Sequence, residues 1–130
     1  MKKIKLFILC LFISAMCFCQ GINKVYRSSY SKFDGQRWVE KRVLYPEFLY
    51  ITIKDNDIRI NNESNRHFVY FGEPEKNDYD THSCFTWNCI DDDGKSCLFM
   101  LKRYRKDDTM VMSFVYSSES VMFEYVIENK

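Results

Sequence analysis

From Gln20 onward apolar and polar side chains alternate along most of the chain, and no window of about a dozen residues repeats at the three-and-four spacing of an amphipathic helix. The pattern predicts strands over Phe48–Lys54, Ile58–Asn61, Arg66–Gly72, Cys84–Asp91, Ser96–Tyr104, Thr109–Tyr116 and Val121–Ile127. Two more are expected at Lys24–Ser31 and Arg37–Tyr45. Turn-forming residues stand between them: Asp34-Gly35, Asp55-Asn56-Asp57, Asn61-Asn62, Asp92-Asp93-Gly94 and Ser117–Ser120.

The turns of the C-terminal half fix registers that can be checked against one another. A three-residue loop at Asp92-Asp93-Gly94, with Gly94 left-handed, sets Cys89 opposite Cys97, Trp87 opposite Phe99 and Phe85 opposite Leu101. A four-residue loop at Arg105–Asp108 sets Leu101 against Met112, Phe99 against Phe114 and Cys97 against Tyr116. Another at Ser117–Ser120 sets Met112 against Tyr125, Phe114 against Phe123 and Tyr116 against Val121. All three registers put the apolar side chains on one face, as a half-buried antiparallel sheet requires. A tight turn at Asp55-Asn56 pairs Ile53 with Ile58 and Ile51 with Ile60, which supplies a second apolar surface. The expected fold is all-β: an antiparallel meander of about 7–9 short strands closing as a small β-barrel, with a two-sheet sandwich as the alternative. Only the connection Glu73–Ser83 is long.

The first residues do not fit this pattern. Lys2, Lys3 and Lys5 precede an apolar run from Leu6 to Ile13 and then small residues, the layout of a secretory signal peptide. Residues 1–19 are therefore read as the signal and 20–130 as a single domain. Cys17 and Cys19 satisfy the small-residue preference for cleavage before Gln20. Bulky Met16 and Phe18 make a lipidated cysteine the lesser reading. The run ends by Phe18, short of the ~20 residues of a membrane-spanning helix. An exported protein, periplasmic or extracellular and bacterial, is expected.

Export changes the charge. The chain carries +1 overall, but the signal removes three of its 19 basic residues and no acid, leaving 16 against 18 and a net of about −2. A nucleic-acid partner would require a basic surplus or stripe, and the densest run, Lys102, Arg103, Arg105 and Lys106, is followed at once by Asp107 and Asp108.

Of the six cysteines, Cys84, Cys89 and Cys97 remain after cleavage. The Cys89–Cys97 register suits a disulfide, which export permits; two reduced core cysteines would leave the same sequence. Cys84 is expected to be free. His82 lies two residues before it, but nothing marks an oxyanion hole or an orienting group, so thiol catalysis is the lesser reading of the pair. Asp91-Asp92-Asp93-Gly94 lacks the ligand spacing of a calcium loop. Gly94-Lys95-Ser96 has Cys89 where a phosphate loop needs glycine. Two histidines, His67 and His82, are too few for a dedicated zinc site without the cysteines. No metal or cofactor is implied. Asn62-Glu63-Ser64 matches a glycosylation acceptor in a turn.

Two functional readings lead, with a Cys-dependent enzyme using Cys84 and His82 as a lesser third. One is a non-enzymatic exported binding module whose aromatic row Trp87, Phe99, Phe114 and Phe123 either packs solid or lines a pocket for a small apolar ligand, with glycan or protein as other partners. The other is an interaction or inhibitor protein acting through the 73–83 loop, by way of Glu73, Glu75, Asp78, Tyr79, Asp80 and His82. A monomer or an edge-paired dimer fits either.

Overall fold

Each strand forms where alternation and turn chemistry agree. In the computed structural model, which describes residues 20–61 and 66–128, they are β1 (Gly21–Phe33), β2 (Trp38–Leu44), β3 (Tyr50–Lys54), β4 (Asp57–Ile60), β5 (Arg66–Asp78), β6 (His82–Asp91), β7 (Ser96–Tyr104), β8 (Met110–Tyr116) and β9 (Val121–Ile127). The expected signal at residues 1–19 and the Asn62-Glu63-Ser64 acceptor lie outside the described residues.

The sheet runs β1-β3-β4-β5-β6-β7-β8-β9, and β9 returns to β1, so eight antiparallel strands close a barrel with β2 as an extra strand on the edge of β1. The sandwich alternative fails at this closure. Val25 pairs with Ile127 and Tyr30 with Phe123, which leaves no second, separate sheet.

The turns act as their residues predict. Gly94 sits at φ 76°, and the Gly94 amide donates to the Asp91 carbonyl at 3.0 Å, closing the β6–β7 hairpin. Cys89 then faces Cys97, Trp87 faces Phe99 and Phe85 faces Leu101. Phe99 faces Phe114 and Leu101 faces Met112, while Phe114 faces Phe123 and Tyr116 faces Val121. Ile51 with Ile60 and Ile53 with Ile58 complete the apolar lining on β3 and β4.

One segment departs from expectation. The stretch Glu73–Ser83 is not a long loop, because β5 continues to Asp78 and pairs with β6 as far as Asp78 opposite Ser83. Gly72, at φ 78°, absorbs a bulge between Phe71 and Glu75, and Pro74 falls inside it, where a missing N–H costs no ladder bond. Only Tyr79, Asp80 and Thr81 are left as a turn, with the Tyr79 amide donating to the His82 carbonyl at 2.8 Å.

Aromatic rings fill the barrel interior. Phe68 stacks on Phe114 at 4.1 Å between centroids, Phe114 on Phe99 at 5.3 Å and Phe99 on Trp87 at 5.4 Å. Burying each such ring contributes about 1.5–3 kcal/mol, and each favourable pair about 0.5–1.5 kcal/mol more. Polar groups within this interior have partners: Tyr70 Oη donates to the Asp55 carbonyl at 2.6 Å and Asn23 Nδ2 to the Ile51 carbonyl at 3.2 Å.

Candidate functional site

Among the described residues the barrel wall is incomplete on one side, and strand lengths explain why. β1 runs for 13 residues, but β3 and β4 have only 5 and 4. β3 covers Gly21–Lys24 alone. Further along the same edge β1 takes β2 as its partner, over Ser28–Phe33. The link 45–49 steps from β2 to β3, tied down where the Val25 amide donates to the Leu49 carbonyl at 2.9 Å. The four-residue turn before β2 is set by Asp34, whose carboxylate accepts the amides of Gln36 and Arg37, both at 2.9 Å.

An opening of 870 Å³ results, between β2 and its link on one side and Asn61 with Arg66 on the other. This lies within the ~300–1,000 Å³ of small-molecule sites. Its floor continues the inner face of the barrel. The aromatic ladder Trp87, Phe99, Phe114, Phe123 extends through Tyr30 on β1 to Arg42 on β2, and the neighbouring row Phe85, Leu101, Met112, Tyr125 extends through Ser28 to Leu44. Pro46, Phe48 and Leu49 of the link form the rim. Phe48 is 76% exposed and Leu44 44%, so apolar side chains stand in water at the entrance.

Arg66 overlooks this floor. Its guanidinium carbon lies 4.0 Å from the centroid of the Phe123 ring, in cation–π geometry. Burial pushes the Tyr125 phenol up, and the positive charge of Arg66 draws it partly back.

On the far side of Arg66 and Phe123 lies a second cavity of 450 Å³, and its character is opposite. Asp91, Asp92, Asp93 and Glu119 line it, and three of these carboxylates are engaged. Burial works to raise the Asp91 carboxyl, but hydrogen bonds from Tyr116 Oη at 2.7 Å and from the Lys95 and Asp93 amides outweigh it and hold it below the ordinary carboxylate range. Asp92 Oδ1 lies 3.0 Å from His67 Nδ1, and Glu119 accepts from Lys95 Nζ at 2.7 Å. His67 Nε2 and Asp57 Oδ1 are shielded from water with no hydrogen bond to anything else. They lie 2.5 Å apart, so each is the other's partner. Among the described residues no group of three or more His, Cys, Asp and Glu side chains could hold a metal ion.

The residues singled out from the sequence divide between these regions. Trp87, Phe99 and Phe114 are at most 3% exposed and stack on one another in the interior, lining neither opening; Phe123 lines both. Glu73, Glu75, Asp78 and His82 lie on the strands of the β5–β6 hairpin, and Tyr79 and Asp80 in its short turn. There Asp78 accepts from Ser83 Oγ at 2.7 Å and pairs with Lys76 and Arg105. The His82 ring packs between Tyr79 and Tyr104, 4.8 Å from each. Its Nδ1 contacts Thr81 Oγ1, whereas Cys84 Sγ lies 3.8 Å from Thr86 Oγ1, so the two side chains face different partners.

Cys89 and Cys97 face each other as the register requires, but no bond joins them, and both thiols are buried and free like Cys84. The Cys89 thiol is pushed well above its ordinary range by its contact with Cys97 and by burial.

Arg42, Tyr30, Leu44 and Arg66 are the site residues that strand alternation alone does not single out. A signal for Arg66 exists: it shares inward parity with Phe68 and Tyr70, both buried, and a charge on a core-facing parity marks a break in the core. No family model, no curated protein and no solved structure matches this chain.

Proposed function

We propose that the protein is an exported, non-enzymatic binding module that takes a small ligand with an apolar body into the cleft between β2 and the start of β5. The observation that supports this reading is the continuity of the cleft floor with the core. Phe123, Tyr30 and Tyr125 belong to the same rows as the packed interior, yet the described residues leave their facing side uncovered, so their apolar surface lines an 870 Å³ opening. Covering that surface is favourable at about 25 cal/mol per Å², and a ligand can do so without rearranging the barrel. The aromatic stack behind it keeps the ligand at the mouth.

Fluorescence of N-phenyl-1-naphthylamine, a neutral apolar probe, tests the reading. It is expected to rise on addition of the protein, and Leu44→Asp, at an exposed position, is expected to abolish the rise while leaving the thermal transition in place. No rise, or a rise that Leu44→Asp leaves unchanged, overturns the assignment.

A further inference from the structure

The charges of the cleft narrow the class of ligand. Among the described residues, Arg42 and Arg66 are the only charged side chains that line it. Neither has an ion-pair partner among the described residues, whereas Arg27, Arg59, Arg103 and Arg105 each pair with an acid. The contrast is sharpest at Arg66. It stands at the boundary with a cavity rich in carboxylates, and three of the four are taken by Tyr116, His67 and Lys95.

The Arg66 guanidinium carbon sits 4.0 Å over the Phe123 ring, and the group carries five N–H donors in a planar fork. A planar fork of this kind matches a carboxylate or a phosphate oxygen pair. Arg42 ends the ladder Phe114, Phe123, Tyr30, Arg42, so it supplies a second cation on the opposite rim, across the same apolar floor.

Resting on the binding reading above, we propose that the ligand is a free single-chain amphiphile with an anionic head. Arg66 and Arg42 hold the head, and the chain lies along Phe123, Tyr30, Tyr125 and Leu44. The same head chemistry is found on membrane lipids. A free molecule is favoured because the apolar surface is the floor of a cleft between two rims, a shape that encloses one chain better than it meets a bilayer.

Displacement of N-phenyl-1-naphthylamine by dodecanoate, dodecanol and dodecyltrimethylammonium, each below its micelle concentration, tests the head-group assignment. Dodecanoate is expected to compete about tenfold better than dodecanol, the size of a charge-assisted hydrogen bond, and the ammonium salt worst. Arg66→Gln and Arg42→Gln are each expected to remove most of that advantage and to leave dodecanol unchanged. Should Arg66→Gln fail to fold, the exposed Arg42→Gln carries the test. Equal competition by dodecanoate and dodecanol, or no competition against a probe that still binds, overturns the anionic head and leaves the apolar cleft standing. Absence of probe binding overturns both. Sedimentation with phosphatidylglycerol vesicles separates the sources: binding to vesicles without displacement by dodecanoate overturns the free amphiphile.

Discussion

Phe114 and Phe123 face each other across the β8–β9 ladder, on the same side of the sheet, and end in opposite environments. Phe114 is fully buried between Phe68 and Phe99. Phe123 is only partly covered, touching Tyr30 at 5.2 Å and the Arg66 guanidinium, and lines both openings. The two rings have the same chemistry and neighbouring positions, so the difference comes from what stands opposite. Phe114 is covered by the Phe68 ring of β5, whereas Phe123 meets Arg66, where β5 begins and the short β3 and β4 have ended. A side chain's face follows from its register, but its burial depends on whether the facing wall exists.

The contrast is most directly broken by truncating each ring. Phe114→Ala is expected to cost about 3–5 kcal/mol in chemical denaturation, as for other buried phenylalanines, and to leave the cleft chemistry in place. Phe123→Ala is expected to cost far less, on the order of 1–2 kcal/mol for the partial burial and the cation–π contact, while lowering apolar-probe binding. Equal losses for the two would show that the mouth is packed like the interior.

The next effect concerns the turn that sets the register. Gly94 has positive φ, and Gly94→Ala is expected to cost about 1–2 kcal/mol, read as a lowered denaturation midpoint with the cleft unaffected. An unchanged midpoint would mean that the β6–β7 register does not depend on this loop.

Asp91 provides a smaller, pH-dependent test on the acidic side of Arg66. Its folded-state pKa is depressed, so its contribution is complete above the unfolded value of about 4 and is lost as pH falls through the lower folded value. The wild-type thermal midpoint should therefore fall more steeply than that of Asp91→Asn as pH drops below about 4. Parallel curves would show that the hydrogen bonds to Tyr116 and the turn amides contribute nothing.

The smallest expected effect is chemical. Alkylation in denaturant without reductant, read by mass spectrometry of the peptides carrying Cys84, Cys89 and Cys97, should label all three thiols, in keeping with their free state. Unlabelled Cys89 and Cys97 alone would establish a bridge between them.

Much of the meander was legible in advance because turn residues and alternation are local signals. Gly94, the Arg105–Asp108 loop and the Ser117–Ser120 loop each fixed a register that the structure contains. The continuation of β5 was hidden because a bulge at Gly72 reverses the alternation and Pro74 reads as a break. The cleft was hidden for a different reason. It depends on β1 exchanging one partner strand for another along a single edge, a long-range event that no short window records. Its one local trace is a pair of arginines at inward parity, Arg66 in line with Phe68 and Arg42 in line with Leu44.

The closure of β9 onto β1 also governs how the barrel can be assembled. Among the described strands the first, β1, pairs with the last, β9, and the Glu128 amide donates to the Lys24 carbonyl across a separation of about a hundred residues. Contacts of such long range carry a large loop-closure cost and slow folding. The hairpins from β5 to β9 can form as each strand appears, but until β9 arrives β1 keeps an unpaired edge, a template for a second chain. The time between these two strands is thus the period in which the protein is most exposed to aggregation, and chaperone demand should follow the rate of that final pairing.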